Sequence, residues 1–243
     1  MKAIILAAGI ASRLRPLTDN APKCLLKVGS RNLLERTIDA VLENGINEIV
    51  IVTGYLREMI EDFVSDRYPQ LKVQYIYNDL YASTNNIHSL WMTKDAVLRS
   101  DVLLMDSDIL FDPAIITCLL DSVHPTCLAL NSHDLGEEEI KVITDANDRI
   151  KEISKVCSID DAVGESVGIE KMSEGFVKIL FDELDTMILE NKQSGVFYEL
   201  AFENVISKGA DFYIVDTTQL FSMELDTVED FENACSKLPL NLQ

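Results

Sequence analysis

The chain has 243 residues and 47% hydrophobic content, enough for one domain with a full core. Its formal net charge of −20, from 41 acidic against 21 basic residues, argues against nucleic acid or an anionic membrane surface as partner. No run of about 18 apolar residues occurs, so no membrane insertion is expected, and five scattered cysteines without a CxxC pair point to reduced thiols, a cytoplasmic setting and no zinc site.

The opening MKAIILAAG carries an apolar run too short for a secretory signal and reads as a strand, KAIILA. NLLERTIDAVLENG follows as an amphipathic helix, with Leu33, Leu34, Ile38, Val41 and Leu42 on one face and Gly45 as its stop. INEIVIVTG is a strand ending at Gly54, REMIEDFVSDRY a helix, LKVQYIYN a strand, NNIHSLWMTKDAVL a helix, and DVLLMDSD a strand. PAIITCLLDSV is a helix with Pro113 near its start. Repeated βα units imply a parallel sheet whose ligands bind at the carboxyl ends of the strands. After residue 125 the pattern turns β-rich. TCLALN, EIKVITD, RIKEISK and GESVGIEKMS read as strands, with DANDR as a turn. Helices over about 174–192 and 197–208, the strands DFYIVDT and FSMELD, and a helix over 228–236 complete the chain. With no repeat and no linker, one α/β domain is expected, with a mixed, mostly parallel Rossmann-like sheet flanked by helices.

Four stretches carry chemistry. The first is LAAGIASRLRPLTDNAPK, residues 6–23. A strand that ends in small residues lets the backbone N–H groups of Leu6, Ala7, Ala8 and Gly9 approach a phosphate chain. Arg13, Arg15, Lys23 and Lys27 stand against Asp19 alone, a local positive excess in an acidic protein. Arg13 suits bidentate contact with phosphate, and Lys23 offers a compact charge to a transferring phosphoryl group. Neither a Walker A loop nor a GxGxxG fingerprint is present. The second stretch is LLMDSDILFD. Asp106 and Asp108 sit two apart at a strand end, so both carboxylates can face one spot, a donor set that suits Mg²⁺. The third, FSMELDTVED, places Glu224 and Asp226 in the same alternation before a helix capped by Thr227. The spacing treats the two acids alike. Asp230 reads as a first-turn acid facing the helix dipole. The fourth is YNDLYASTNNIHSLWM, where Asn78 closes a strand and Thr84, Asn85 and Asn86 open a helix. Asparagine amides both donate and accept, as reading a base edge or a ribose requires. Plain helix capping is the alternative.

Residues 6–28, LAAGIASRLRPLTDNAPKCLLKV, resemble the nucleotidyltransferase signature LAAGxGxRLxPLTxxxPKxLLxV, with Ala11 in place of the second glycine. The resemblance runs over nearly the whole chain and is strongest in residues 3–38 and 75–112. It implies a nucleotide-diphospho-sugar transferase-like fold, with a nucleotide-binding half over 1–124 and an acceptor-binding half over 125–243. It also implies a Mg²⁺-dependent activity in which Arg13 and Lys23 are catalytic. Asp108 takes the position of the family's magnesium aspartate, with Ser107 replacing a glycine. The closing acidic segment maps onto Asp226 first and Glu224 second. The segment TNNIHSL is similar to that of phosphocholine and aminoethylphosphonate cytidylyltransferases, which implies CTP and a small phosphorylated or phosphonate amine or alcohol as substrates. Asn85, Asn86 and Ser89 would then line the nucleotide or acceptor pocket. In the second half, Lys141 and Lys155 become candidate anion contacts. Tyr198 and Glu199 become candidates for a cationic acceptor, which favours an aromatic and a carboxylate together. The resemblance also leaves a sugar-1-phosphate nucleotidyltransferase as an alternative, and two rivals stand outside it: a glycosyltransferase using Asp106-Ser107-Asp108 as a D-x-D motif, and a catalytically silent regulatory module. The sequence leaves the oligomeric state open.

Overall fold

The structure, a computed structural model, describes residues 1–242. The first half holds β1 (Lys2–Ala7), a small hairpin of β2 (Lys27–Val28) and β3 (Arg31–Asn32), α1 (Leu33–Glu43), β4 (Ile49–Thr53), α2 (Arg57–Arg67), β5 (Val73–Tyr77), α3 (Asn86–Met92), α4 (Lys94–Val97), β6 (Val102–Asp106), β7 (Ile109–Phe111) and α5 (Ala114–Asp121). The second half holds β8 (Cys127–Asn131), β9 (Lys141–Thr144), β10 (Ile150–Ser154), β11 (Gly164–Met172), α6 (Glu174–Asp185), α7 (Glu199–Ser207), β12 (Tyr213–Asp216), β13 (Ser222–Glu224) and α8 (Val228–Lys237).

One nine-stranded sheet runs through both halves in the order β10-β9-β11-β6-β1-β4-β5, with β8 branching from β11 and β12 from β8. The strands β6, β1, β4 and β5 are parallel, and β11 joins β6 antiparallel. Alternation along the central strands explains their near-continuous hydrophobic runs. Ile4, Leu6, Val50, Val52 and Leu104 pack on one face with Ile87, Phe176 and Phe202 from α3, α6 and α7. Ala3, Ile5, Ala7, Ile51 and Met105 pack on the other with Ile38, Ile60 and Ile116 from α1, α2 and α5. Both faces are covered, so polar alternation is absent from these strands.

The fold departs from the sequence reading in places with local causes. The helix expected over NNIHSLWMTKDAVL is two helices interrupted at Thr93, whose Oγ1 bonds the Leu90 carbonyl at 2.7 Å. The helix expected to reach residue 192 is α-helical only to Asp185, then widens into a π-turn over Thr186–Glu190. Two short ladders were not foreseen, β2 with β3 and β7 with β13. The second matters most. It sets Glu224 opposite Ile109, and the Leu225 N–H donates to the Asp108 carbonyl at 3.1 Å. A separate small core of Leu14, Val28, Leu33, Leu110, Leu225, Phe231 and Ala234 ties the opening loop, the hairpin and α8 together. Among the described residues no helix is long and apolar enough to cross a membrane.

Gly54 marks where β4 passes the opening loop. A Cβ there would lie 2.4 Å from the Ala8 carbonyl oxygen and 2.7 Å from Tyr81 Cβ. Gly54→Ala is therefore expected to destabilise the protein by about 1–3 kcal/mol, the usual cost of overpacking. Calorimetry checks this, and an unchanged melting temperature would show that the contact is slack.

Candidate active site

The carboxyl end of β1 opens into a cavity of about 650 Å³ whose wall includes Leu6, Ala7, Ala8 and Gly9. Ala11 then turns the chain with φ of 50°, in the left-handed region. That conformation costs an alanine about 1–2 kcal/mol relative to glycine's freedom. It is held in place because the Ala11 carbonyl accepts from the Leu14 N–H at 3.0 Å and from Thr18 Oγ1 at 3.0 Å. Ala11 thus holds the left-handed turn that a glycine adopts without strain.

The centre of the site is an ion cluster. Lys23 is only 8% exposed, and its Nζ donates to Asp108 Oδ2 at 2.9 Å and to Asp226 Oδ1 at 2.6 Å. Arg13 pairs with the other oxygen of Asp226. Burial works against the charge on Lys23, but Asp108 and Asp226 outweigh it and raise its pKa. Burial likewise pushes Asp226 up, while Lys23 and Arg13 carry it below the usual carboxylate range. Glu224 has no such partner. Glu224 lies on the exposed side of the cluster, where desolvation by its neighbours, then the charges of Asp108 and Asp226, hold it up at about 7.

Oxygens of Asp108, Glu224 and Asp226 all lie within 4.8 Å of one another. An all-carboxylate oxygen set of this size fits a hard divalent cation such as Mg²⁺. Asp226 is oriented from behind, since its N–H donates to Asp230 Oδ2 at 3.1 Å. Asp230 and Thr227 also form the reciprocal cap of α8. Asp230 therefore does more than face a helix dipole, because it positions the neighbouring acid.

Asp106 is placed differently from the expectation. β6 ends at Asp106 and a turn follows, so Asp108 no longer continues the strand alternation. The Asp106 carboxylate accepts from the Tyr198 hydroxyl at 2.9 Å and stands outside the three-acid cluster. Burial, then Asp108, Glu199 and Glu170, raise its pKa well above the usual range. Asp106 and Asp108 thus serve different surroundings.

The asparagine segment divides in the same way. Asn78 is 1% exposed and fully engaged: its Nδ2 donates to Thr84 Oγ1 at 3.2 Å and Ser89 Oγ at 3.1 Å, and its Oδ1 accepts from Leu80 N–H at 3.0 Å. It braces the loop, with Thr84 and Ser89, along the cavity wall. Asn85 caps α3 by accepting from the Asn86 N–H at 2.8 Å, and Asn86 Oδ1 accepts from the Tyr198 N–H at 3.0 Å. Both line the cavity, with their oxygens used internally and their amide nitrogens left as donors.

At the far end, Lys155 and Glu199 line the cavity, while Tyr198 and Lys141 do not. Tyr198 is fully buried because it belongs to the core stripe of α7 with Ala201, Phe202 and Val205. Its spacing i, i+3, i+4, i+7 was legible as a core signal. Phe197, one residue earlier, faces the cavity instead and was missed. Lys141 is 2% exposed, and its Nζ donates to the carbonyls of Gly136, Glu137 and Glu139 at 3.2, 3.3 and 3.3 Å. It shapes the loop that carries Glu138 and Glu139 to the cavity rim and has no free donor geometry towards an acceptor.

Comparison with known proteins gives a family and a fold. A family model described as nucleotidyl transferase matches residues 2–124. A choline-phosphate cytidylyltransferase of Streptococcus pneumoniae is 31% identical over 235 residues, 95% of each chain. A 2-aminoethylphosphonate cytidylyltransferase of Lancefieldella rimae is 33% identical over 107 residues, 44% of this chain and 42% of that one. Among solved structures, the CTP:phosphocholine cytidylyltransferase from Streptococcus pneumoniae superposes with a TM-score of 0.80 and 24% identity, covering 98% of this chain and 99% of that one. This last likeness is one of fold.

Behind the site, Glu170 is 1% exposed, and its Oε2 has no hydrogen-bond partner. Burial, then Glu199, raise its pKa well above the usual value. A carboxyl that stays protonated in the fold but ionises in the unfolded chain favours folding fully below the unfolded pKa near 4.5 and loses that contribution as pH rises. Glu170→Gln is therefore expected to raise the melting temperature at pH 8 and leave it nearly unchanged at pH 5. Equal shifts at both pH values would contradict the buried-acid assignment.

Proposed function

This chain belongs to the nucleotidyl transferase family, and on that premise we propose that it transfers a cytidylyl group from CTP to a small phosphorylated or phosphonate amine or alcohol, releasing pyrophosphate. The observation that carries the reading is the cluster of Lys23, Arg13, Asp108, Glu224 and Asp226 beside the Leu6–Gly9 backbone. The similarity over 95% of the chain to a choline-phosphate cytidylyltransferase supports the choice of nucleotide and acceptor class.

In this reading an acceptor oxygen attacks the α-phosphorus of CTP directly and the bond to pyrophosphate breaks. Both reactants are anions, so the barrier the protein lowers is largely electrostatic. The backbone of Leu6–Gly9 receives the phosphate chain. Arg13 and Lys23 offset negative charge as the phosphoryl group moves. Asn85 and Asn86 offer amide donors to the base, held in place by Asn78, Thr84 and Ser89. Asp108 and Asp226, with Glu224, would hold Mg²⁺, which when bound neutralises phosphate oxygens and orients them. The second half of the chain, from 125 on, receives the acceptor through Lys155, Glu199 and Phe197. No protein nucleophile is needed. Cys24 lines the cavity, but burial pushes its thiol up to about 12, so it stays unreactive. The glycosyltransferase reading is weakened because the Asp106 carboxylate is engaged by the Tyr198 hydroxyl and stands outside the three-acid cluster. The silent-module reading is weakened because Lys23 pairs with Asp108 and Asp226 and the three acids converge.

Pyrophosphate release with four nucleotides against a panel of acceptors tests the reaction. CTP is expected to exceed UTP by more than about tenfold, because a site built around a particular base edge leaves polar groups unpaired with another. Turnover of UTP or dTTP with glucose 1-phosphate faster than CTP with any amine or alcohol phosphate would overturn it. Asp108→Ala is expected to abolish most turnover while preserving the fold, and Lys23→Ala to lower kcat by about 10²-fold or more. Excess chelator should stop the wild-type reaction. Full activity in chelator would remove the metal assignment.

A further inference from the structure

Glu199 stands in the first turn of α7, lines the cavity and is 8% exposed. Its Oε2 is buried without any hydrogen-bond partner. The other carboxylates at this end are engaged. Glu138 holds Lys155 at 3.2 Å, Glu139 accepts from the Gly136 N–H at 2.9 Å, and Glu165 pairs with His133 Nε2 at 2.8 Å. A buried acceptor atom left unpaired costs about 1–3 kcal/mol, more when the group is charged. The wall around Glu199 is therefore incomplete until a ligand supplies a donor.

We infer that the donor is the protonated primary amine of the acceptor, so that this enzyme prefers a phosphate or phosphonate bearing –NH₃⁺ to one bearing a quaternary ammonium or only hydroxyl groups. The inference deepens the cytidylyl-transfer reading and rests on it. A trimethylammonium group has no N–H and would leave Oε2 as unpaired as before. Such groups are held instead by several aromatic faces. Among the described residues two aromatic side chains line the cavity, Tyr81 and Phe197. Tyr81 sits beside Gly54 and Ala8 at the nucleotide end. Phe197 already has the Lys155 ammonium 5.1 Å from its ring centroid. That leaves no cage for a quaternary head group.

A hydroxyl would satisfy Oε2 but not the charge. Glu199 helps to raise both Asp106 and Glu170, so it is the acid of this group that carries the charge, and Lys155 is the cation that draws it down. A protonated amine answers both needs, with three N–H donors and a positive charge. Burial holds Glu199 up at about 7, and a cation beside it brings it into the ionised range.

The test is a methylation series at fixed CTP: phosphoethanolamine, its N-methyl and N,N-dimethyl forms, and phosphocholine, with 2-aminoethylphosphonate and glycerol 3-phosphate alongside. For the wild-type enzyme, kcat/KM is expected to fall by more than about tenfold from phosphoethanolamine to phosphocholine, and glycerol 3-phosphate to lie below both primary amines. Glu199→Gln is expected to raise KM for the primary amines and flatten the series, with KM for CTP unchanged as evidence of an intact fold. Phosphocholine or glycerol 3-phosphate turned over as well as phosphoethanolamine would overturn the inference and leave cytidylyl transfer standing. No turnover of CTP with any acceptor would overturn both.

Discussion

A single ammonium group joins three distant parts of this chain. Lys23 comes from the opening loop, Asp108 from the turn after β6, and Asp226, 203 residues away from Lys23, from the segment before α8. A lysine this deeply buried is tolerated only when paired, because an isolated charge in that position would be expelled or neutralised. The requirement works in both directions. The two aspartates keep Lys23 charged, and Lys23 with Arg13 keeps Asp226 ionised against its own burial. The pairing therefore constrains chain path as well as chemistry. The small core around Leu14, Leu110, Leu225 and Phe231 is what brings the partners into range.

The same site contains both signs of charge in separate layers. Towards the opening loop, cations face the acids that would hold a metal. Behind β6 lies a second layer of Asp106, Glu170, Glu199 and Tyr198, where burial pushes every acid upward. A protein with a net charge of −20 can thus bind anionic phosphates at one end of a cavity and present an acidic wall at the other. Two charged substrates of mixed sign, an anionic nucleotide and a zwitterionic acceptor, match that layering.

Much of this was legible from residue order alone. The strand, small-residue turn and Arg-Arg-Lys sequence of residues 2–23 carry the loop, because they are contiguous in the chain. Asp108, Glu224 and Asp226 were also visible as acids at chain ends of strands. Their convergence follows from the family resemblance and not from spacing, since it depends on the three-residue ladder between β7 and β13. A ladder that short leaves no periodic signature. The spacing pairs Asp106 with Asp108 only if the strand continues. The turn at Ser107 breaks that alternation, and Tyr198 captures the first carboxylate. Lys141 looked like a solvent-facing strand lysine or an anion contact, but three backbone carbonyls bury its head group. Such captures rest on long-range backbone positions that sequence spacing does not encode.

If Lys23 and Asp226 act as one unit, their contributions to turnover must overlap. The most direct measurement is a double-mutant cycle on kcat for cytidylyl transfer, comparing Lys23→Ala, Asp226→Ala and the double variant. The expected result is strong non-additivity, with the double variant losing little more than the more damaged single variant. Independent, additive losses would contradict the coupling on which this account of the site depends.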